Sequence, residues 1–250
     1  MRHIVKVGDA LNQTMLLDDN SVDAFIMDPP YASGAFTEAG RSMGLVQGLA
    51  DKTTWFDGDG MGTAGIVFLL RSIAFEASRK LKDGGWVLCF CDWRQVVNLA
   101  PAIESAGLRF RSLIVWDKGS GGMGTCFRPQ YELVMAFSRG SPDVHDAAVT
   151  NLITAKRVLK EKQHPTQKPV DLMAKLIRAT TPVDGLVVDP FCGSGTTIVA
   201  AALTGRRAIG FERSPDFAQV AINRLAEEAG TTSNGVPTVA MQPQMFEVNE

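Results

Sequence analysis

The sequence predicts an α/β fold built on one mostly parallel sheet, and three features carry that expectation. Short apolar runs alternate along the chain with segments of helical periodicity, the pattern of strands joined by crossover helices. The stretch LVVDPFCGSGTTIVAAAL, residues 186–203, reads as strand, glycine turn and helix. The next apolar run, RRAIGFE, closes on Glu212, 23 residues after Asp189. That is about the interval separating an acid from the glycine turn in doubly wound sheets.

In chain order, the first strand expected is His3–Val7. Ala24–Met27 follows, an apolar run that stops at two prolines, which cannot continue a ladder. Gly65–Leu81 has helical periodicity, and KDGG after it reads as a helix stop and turn before the strand Gly85–Cys91. Trp93–Ala106 is the next helix, with AGL as its stop. Arg111–Trp116 and Glu132–Phe137 read as strands. In Pro169–Thr180, Met173, Leu176 and Ile177 fall at helical spacing, and Pro169 suits a first turn. Strand Leu186–Val188, helix Thr196–Leu203, strand Arg207–Phe211 and helix Pro215–Glu228 complete seven strands. Residues 32–64 break the alternation: glycine-rich and polar around an isolated Trp55, they are longer than an ordinary connection and suit a lid or binding loop. Residues 119–124 and 140–163 are also irregular. The expected organisation is a single domain over 1–229, with insertions at about 32–64 and 119–163. Residues 230–250, rich in Thr, Ser, Asn, Gly, Pro and Gln, read as a disordered tail.

Composition narrows the classes. A chain of 250 residues with 45% hydrophobic content can bury one sizeable core. With 25 basic against 27 acidic residues, any contact with nucleic acid must come from a local basic patch. Four cysteines do not make a disulfide framework. Cys89 and Cys91 share a strand face, but no second pair at metal-ligand spacing follows, so they read as core thiols and no metal is expected. No apolar run reaches the ~18–20 residues of a membrane span, and MRHIVKVGDAL lacks a signal-peptide core. A soluble, cytoplasmic protein is expected.

The glycine turn places backbone N–H groups at a helix N-terminus, where an anion binds. A triphosphate loop needs a lysine before the Ser/Thr, and here Gly195 precedes Thr196 and Thr197. A dinucleotide fingerprint needs glycine where Ile198 stands. The pattern suits a ribose-bearing ligand with a small anionic group. S-adenosylmethionine fits: Glu212 would hold the ribose hydroxyls, Asp189 would accept from the methionine ammonium, and loop N–H groups would face its carboxylate.

DPPY (28–31) together with DPFCGSGTT (189–197) resembles the amino-methylating DNA methyltransferases, which carry a D/N/S-P-P-Y/F/W catalytic motif and an FxGxG cofactor motif. The catalytic motif comes first here, and HPTQKP (164–169) precedes the cofactor motif, as in the permuted beta group. The resemblance covers about residues 3–228. It implies a Rossmann-like fold, circularly permuted, with seven mostly parallel strands, helices on both faces, and Glu132–Phe137 antiparallel. It implies S-adenosylmethionine as methyl donor. The cofactor contacts it implies are Asp9 and Ala10 beside the adenine, Asp28, Thr166, Gln167 and Lys168 near the methionine end, then Asp189, Pro190, Phe191, Gly193, Ser194, Gly195, Thr196, Thr197, Glu212 and Arg213.

The chemistry of DPPY fits an exocyclic amine, a poor nucleophile because its lone pair is delocalised into the ring. Asp28 and the Pro29 carbonyl can accept its hydrogens, and Pro29 and Pro30 hold those acceptors in place. Tyr31 would stack on a base taken out of the duplex. No covalent intermediate is needed, so Cys192 reads as packing. By resemblance, Asp at the first motif position points to adenine N6, with cytosine N4 the alternative. RNA methylation and a non-catalytic subunit that binds S-adenosylmethionine or DNA are the rival classes. Arg128, Arg139, Lys156, Arg157, Lys160 and Lys162 form the expected phosphate-contact set. The partners expected are double-stranded DNA and, by resemblance, a second copy of the chain and a cognate restriction nuclease. Binding DNA would associate the protein with the nucleoid.

Overall fold

The computed structural model describes residues 2–31, 62–122, 126–157 and 167–229. The elements, in chain order, are β1 (His3–Val7), α1 (Ala10–Met15), β2 (Val22–Met27), α2 (Thr63–Lys80), β3 (Leu81–Cys91), α3 (Val96–Glu104), β4 (Arg109–Asp117), β5 (Tyr131–Ser138), β6 (Leu152–Thr154), α4 (Val170–Thr180), β7 (Leu186–Asp189), α5 (Thr196–Leu203), β8 (Arg207–Glu212) and α6 (Pro215–Glu228). The strands form one sheet in the order β1-β8-β7-β2-β3-β5-β4-β6. Every pairing is parallel except the two made by β5, which is antiparallel to β3 and to β4.

The central strands are buried on both faces. All six residues of β2 are buried, which is why that strand reads as a continuous apolar run. Its side chains alternate between two cores. Ile26 joins Leu88, Val187, Leu176 and Ile198 on one face, and Phe25 and Met27 join Ile73, Leu99 and Phe211 on the other. Helices α4, α5 and α6 cover the first face; α1, α2 and α3 cover the second.

The expected α/β architecture and the antiparallel β5 are borne out, with three differences. The sheet has eight strands. The eighth, β6, is a three-residue edge strand parallel to β4, too short to show a period. KDGG is not a turn between elements: β3 starts at Leu81, and the register with β2 jumps from Val22↔Leu81 to Ala24↔Trp86. Lys82–Gly85 form a bulge, with Gly84 at φ +82°. Helix α1 was not foreseen; at six residues it is held by its cap, Asp9, whose Oδ1 accepts from the N–H groups of Leu11 and Asn12.

The chain leaves β7 for β8 on one side, and β2 for β3 on the other. The order therefore reverses between β7 and β2, and the C-terminal ends of those strands frame the crevice in which open α/β sheets bind ligands. The N-terminal end of antiparallel β5 reaches the same edge, because Leu133 pairs with Cys91 at the end of β3. Residues 32–61, 158–166 and 230–250 lie outside the described set. Most of the first expected insertion, the tail, Lys160, Lys162 and Thr166 fall there.

Candidate active site

Two motifs meet at the crevice. The first leaves β2 at Asp28. Its Oδ2 receives Lys168 Nζ at 2.7 Å, and its Oδ1 faces the Tyr31 hydroxyl at 3.3 Å. Lys168 comes from the segment just before α4 and is 6% exposed. It also lies 3.3 Å from Glu132 Oε2, a carboxylate at the start of β5. Tyr31 reaches the same Glu132 oxygen at 3.2 Å. Lys118, just past β4, pairs with the other Glu132 oxygen at 2.8 Å. The Lys168 ammonium sits 5.0 Å from the Phe90 ring centre and 5.5 Å from that of Tyr31.

The charges in this cluster support one another. Burial pushes the Asp28 carboxyl up, against the pull of Lys168. Burial would also raise Glu132, yet the Lys168 and Lys118 ammoniums bring it below its usual range. Burial would lower Lys168, and the two carboxylates outweigh it, so the lysine stays protonated. The Tyr31 hydroxyl is pushed well up by burial, then by the Asp28 and Glu132 charges. It remains a donor between two carboxylates. Beside the cluster, Pro29, Pro30, Tyr31, Phe90, Asp92 and Gln95 line a small hollow.

The second motif is the turn from β7 to α5. Asp189 is 3% exposed. Its Oδ1 accepts from the Phe191 N–H at 2.9 Å, and its Oδ2 accepts from the Thr197 hydroxyl. Burial raises its carboxyl to about 7, and the nearby charges of Asp28 and Glu212 (groups of the first motif and of β8) push the same way. Glu212, at the end of β8, accepts from Gly193 N–H at 2.8 Å and from Ser214 N–H at 2.9 Å. Gly195 takes φ +82°, and a Cβ there would lie 2.7 Å from Ala221 Cβ, so only glycine lets the turn approach α6 this closely. Cys192 is buried against Gly210, and burial keeps its thiol well above the ordinary value. That is a packing role and not a nucleophile's.

Arg224 of α6, 1% exposed, pins this turn. It donates to the Ser194 carbonyl at 2.9 Å, to the Ser194 hydroxyl at 3.2 Å and to the Thr196 hydroxyl at 3.1 Å, and pairs with Glu228 at 2.7 Å. Replacing it with alanine leaves buried acceptors unpaired and a cavity behind the turn. The expected loss of stability is about 3 kcal/mol, read from denaturant midpoints.

The sequence-predicted residues therefore separate into groups. Asp28, Pro29, Pro30, Tyr31 and Lys168 converge. Asp189, Pro190, Phe191, Gly193, Ser194, Gly195, Thr196, Thr197, Glu212 and Arg213 follow the adjacent strand ends. Asp9 and Ala10 adjoin them, since Val7 pairs with Glu212 and Gly8 N–H donates to the Glu212 carbonyl at 2.9 Å. Gln167 precedes Lys168 and is half-buried. Among the basic residues, Arg128, Lys156 and Arg157 lie on loops at this edge of the sheet. Arg139 does not: it follows the C-terminal end of β5, at the opposite edge, and bonds to Asn20 and to the Leu81 carbonyl. It ties strand ends together and is not part of a shared cationic surface. Sequence reading missed Glu132, Lys118 and Arg224. A lone acid opening a strand carries no signal by itself; only the antiparallel topology of β5 brings Glu132 to Lys168.

Residues 22–223, from the start of β2 into α6, match the family of DNA methylases designated N6_N4_Mtase. The chain belongs to that family. Its methyl donor is S-adenosylmethionine. The chain is 28% identical over 219 residues to YubD of Escherichia coli (strain K12), covering 88% of each protein. It is 25% identical to the type II methyltransferase M2.MboI of Moraxella bovis, covering 88% of this chain and 86% of that one. Among solved structures, the M1.HpyAVI–SAM complex is similar with a TM-score of 0.66 and 24% identity, covering 89% of this chain and 98% of that one. The cytosine-N4-specific PvuII DNA methyltransferase is similar with a TM-score of 0.70 and 20% identity, covering 90% of this chain and 86% of that one. At such identities these two establish the fold. It is a DNA methyltransferase, of a family whose name covers both the N6 and the N4 amine.

The residues present suit S-adenosylmethionine. Carboxylates of Asp9 and Glu212 stand at neighbouring strand ends, and ribose hydroxyls can donate to such groups. The turn that Gly195 permits opens α5, where backbone N–H groups face out of the helix end.

Proposed function

We propose that this methyltransferase acts on the N6 amine of adenine, in a base drawn out of double-stranded DNA. The observation that carries the reading is Asp28 at the head of DPPY, the acid that by resemblance marks the adenine enzymes, held in a buried ion pair. S-adenosylmethionine supplies an electrophilic methyl on a sulfonium. The chain's own groups do the rest. The Asp28 carboxylate and the Pro29 carbonyl accept the two hydrogens of the amine, which draws the nitrogen toward tetrahedral geometry and turns its lone pair to the methyl. The Lys168 ammonium opposes the protonation that burial favours at Asp28. When the amine takes its place, Lys168 still has Glu132 within reach, so its charge is not stranded. Tyr31, anchored through its hydroxyl, offers its ring to the base.

Asp189, the loop N–H groups and Glu212 would hold the methionine ammonium, its carboxylate and the ribose, with Asp9 near the adenine. Arg128, Lys156 and Arg157 would meet phosphates. A cognate restriction nuclease and a homodimer are further expectations of the same reading, as is a cytoplasmic, nucleoid-associated location; no helix among the described residues is long and apolar enough to cross a membrane.

The test is direct. Unmethylated duplex DNA is incubated with protein and S-adenosylmethionine, digested to nucleosides, and weighed by mass spectrometry. N6-methyldeoxyadenosine is the expected product. N4-methyldeoxycytidine would keep the chemistry and move the base. No product, with cofactor still bound, would favour RNA or a non-catalytic role.

A further inference from the structure

We propose that Phe127 is a wedge that enters the base stack and holds the place of the extruded base. The inference rests on the reading that the target base leaves the duplex. Strands β4 and β5 are joined by a hairpin that continues past the sheet, with Lys118 N–H donating to the Gln130 carbonyl at 2.9 Å and Gly122 N–H to the Pro129 carbonyl at 2.7 Å. It leaves the sheet at the edge that carries Asp28. Its base is the active site itself: Lys118 and Glu132 flank it and form an ion pair.

Phe127 stands beyond the Gly122–Pro129 bond. It is 99% exposed, and its φ is +49°. An unbranched apolar ring gains nothing from full exposure, and a left-handed backbone is costly for a bulky residue. Backbone of this kind clusters at functional sites. Phe127 is five residues from Glu132, a contour of at most about 18 Å, so the ring stays within reach of DNA whose target base occupies the crevice.

The surroundings fit a polyanion. Arg128 follows Phe127 and is braced on the Gly121 carbonyl at 3.0 Å. Arg157 reaches the Ser120 hydroxyl at 3.4 Å, which sets the segment after β6, with exposed Lys156, against the same hairpin. An exposed aromatic side chain flanked by cations is the combination by which proteins insert a side chain between base steps while holding the backbone. Extrusion of a base leaves a gap in the stack, and an aromatic ring in that gap recovers stacking that is otherwise lost.

A wedge acts on extrusion and not on the methyl-transfer step, and this separates it from a merely structural role. Duplexes carrying a sequence found methylated are made in two forms, with the target base paired or opposite an abasic site. Single-turnover methylation by Phe127→Ala is expected to slow at least about ten-fold on the paired duplex and to stay within about two-fold of the unaltered protein on the other. Phe127→Trp is expected to retain the rate on both. Equal loss on both duplexes, or no loss on the paired one, overturns the wedge while leaving the extrusion reading intact. Failure of the unaltered protein to methylate either duplex removes that reading, and the wedge with it.

Discussion

Asp28→Ala is expected to reduce single-turnover methyl transfer by at least about a thousand-fold while cofactor binding changes by less than about ten-fold. A thousand-fold corresponds to about 4 kcal/mol in the barrier. The size follows from the setting. Asp28 is an acceptor beside a buried ammonium, at 2.7 Å from Lys168, and without it the amine keeps only the Pro29 carbonyl to draw it toward tetrahedral geometry. The alanine also leaves Lys168 with Glu132 alone, so the lysine is expected to settle on that carboxylate and not to occupy the amine's place. Asp28→Asn keeps one acceptor oxygen and the shape but loses the charge, so its loss should be smaller than that of alanine. Calorimetric titration with S-adenosylmethionine, beside the rate, distinguishes failed chemistry from failed binding. Residual activity above about one hundredth in Asp28→Ala would sink the role. The pH profile gives a second reading. Burial holds the Asp28 carboxyl above the ordinary range, so the rate should begin to fall on acidification at a higher pH than an exposed carboxylate would give.

The sheet was legible where burial writes a plain pattern. Strands β1, β2, β7 and β8 and helices α5 and α6 are short apolar runs or amphipathic segments whose boundaries fell within two residues of expectation. Elements held by a cap or by a short pairing were not legible: α1 depends on the Asp9 cap, and β6 on its three-residue pairing with β4. The site divides in the same way. Asp28 and Tyr31 are neighbours in sequence and announce themselves with the prolines between them. The sequence puts Lys168 near the methionine end; its ion pair with Asp28 spans 140 residues of chain and exists only once the sheet is closed. Glu132 and Arg224 are single charges in ordinary-looking elements. What makes them matter is desolvation and a partner from a distant segment, neither of which has a sequence period.

Asp189 carries the second large effect, and its sign is opposite to that of a salt-bridged acid. Burial raises its folded carboxyl to about 7, from an ordinary value of 3.8. Between those two values the unfolded chain is ionised there and the folded chain is protonated. The folded state binds the extra proton, so stability falls as pH rises from about 4 to about 7, then levels off. Three units correspond to at most about 4 kcal/mol. Asp189→Asn has no such titration: the difference in stability between the two proteins, measured in urea without cofactor, should shift in favour of the asparagine protein by at most about 3 kcal/mol between pH 5 and pH 8, a slope that an acid whose folded value is depressed would not give. The same proton bears on the cofactor. If the ionised Asp189 receives the methionine ammonium, binding S-adenosylmethionine must release that proton below about pH 7, and affinity should rise toward about ten-fold per pH unit there and flatten above. Titrations at pH 6 in buffers of different ionisation enthalpy count the protons directly. Release of close to one proton, absent in Asp189→Asn, places the ammonium on Asp189. A count near zero, with the stability slope still present, would leave Asp189 as the anchor of its turn through Thr197 and Phe191, and would send the ammonium to another acceptor.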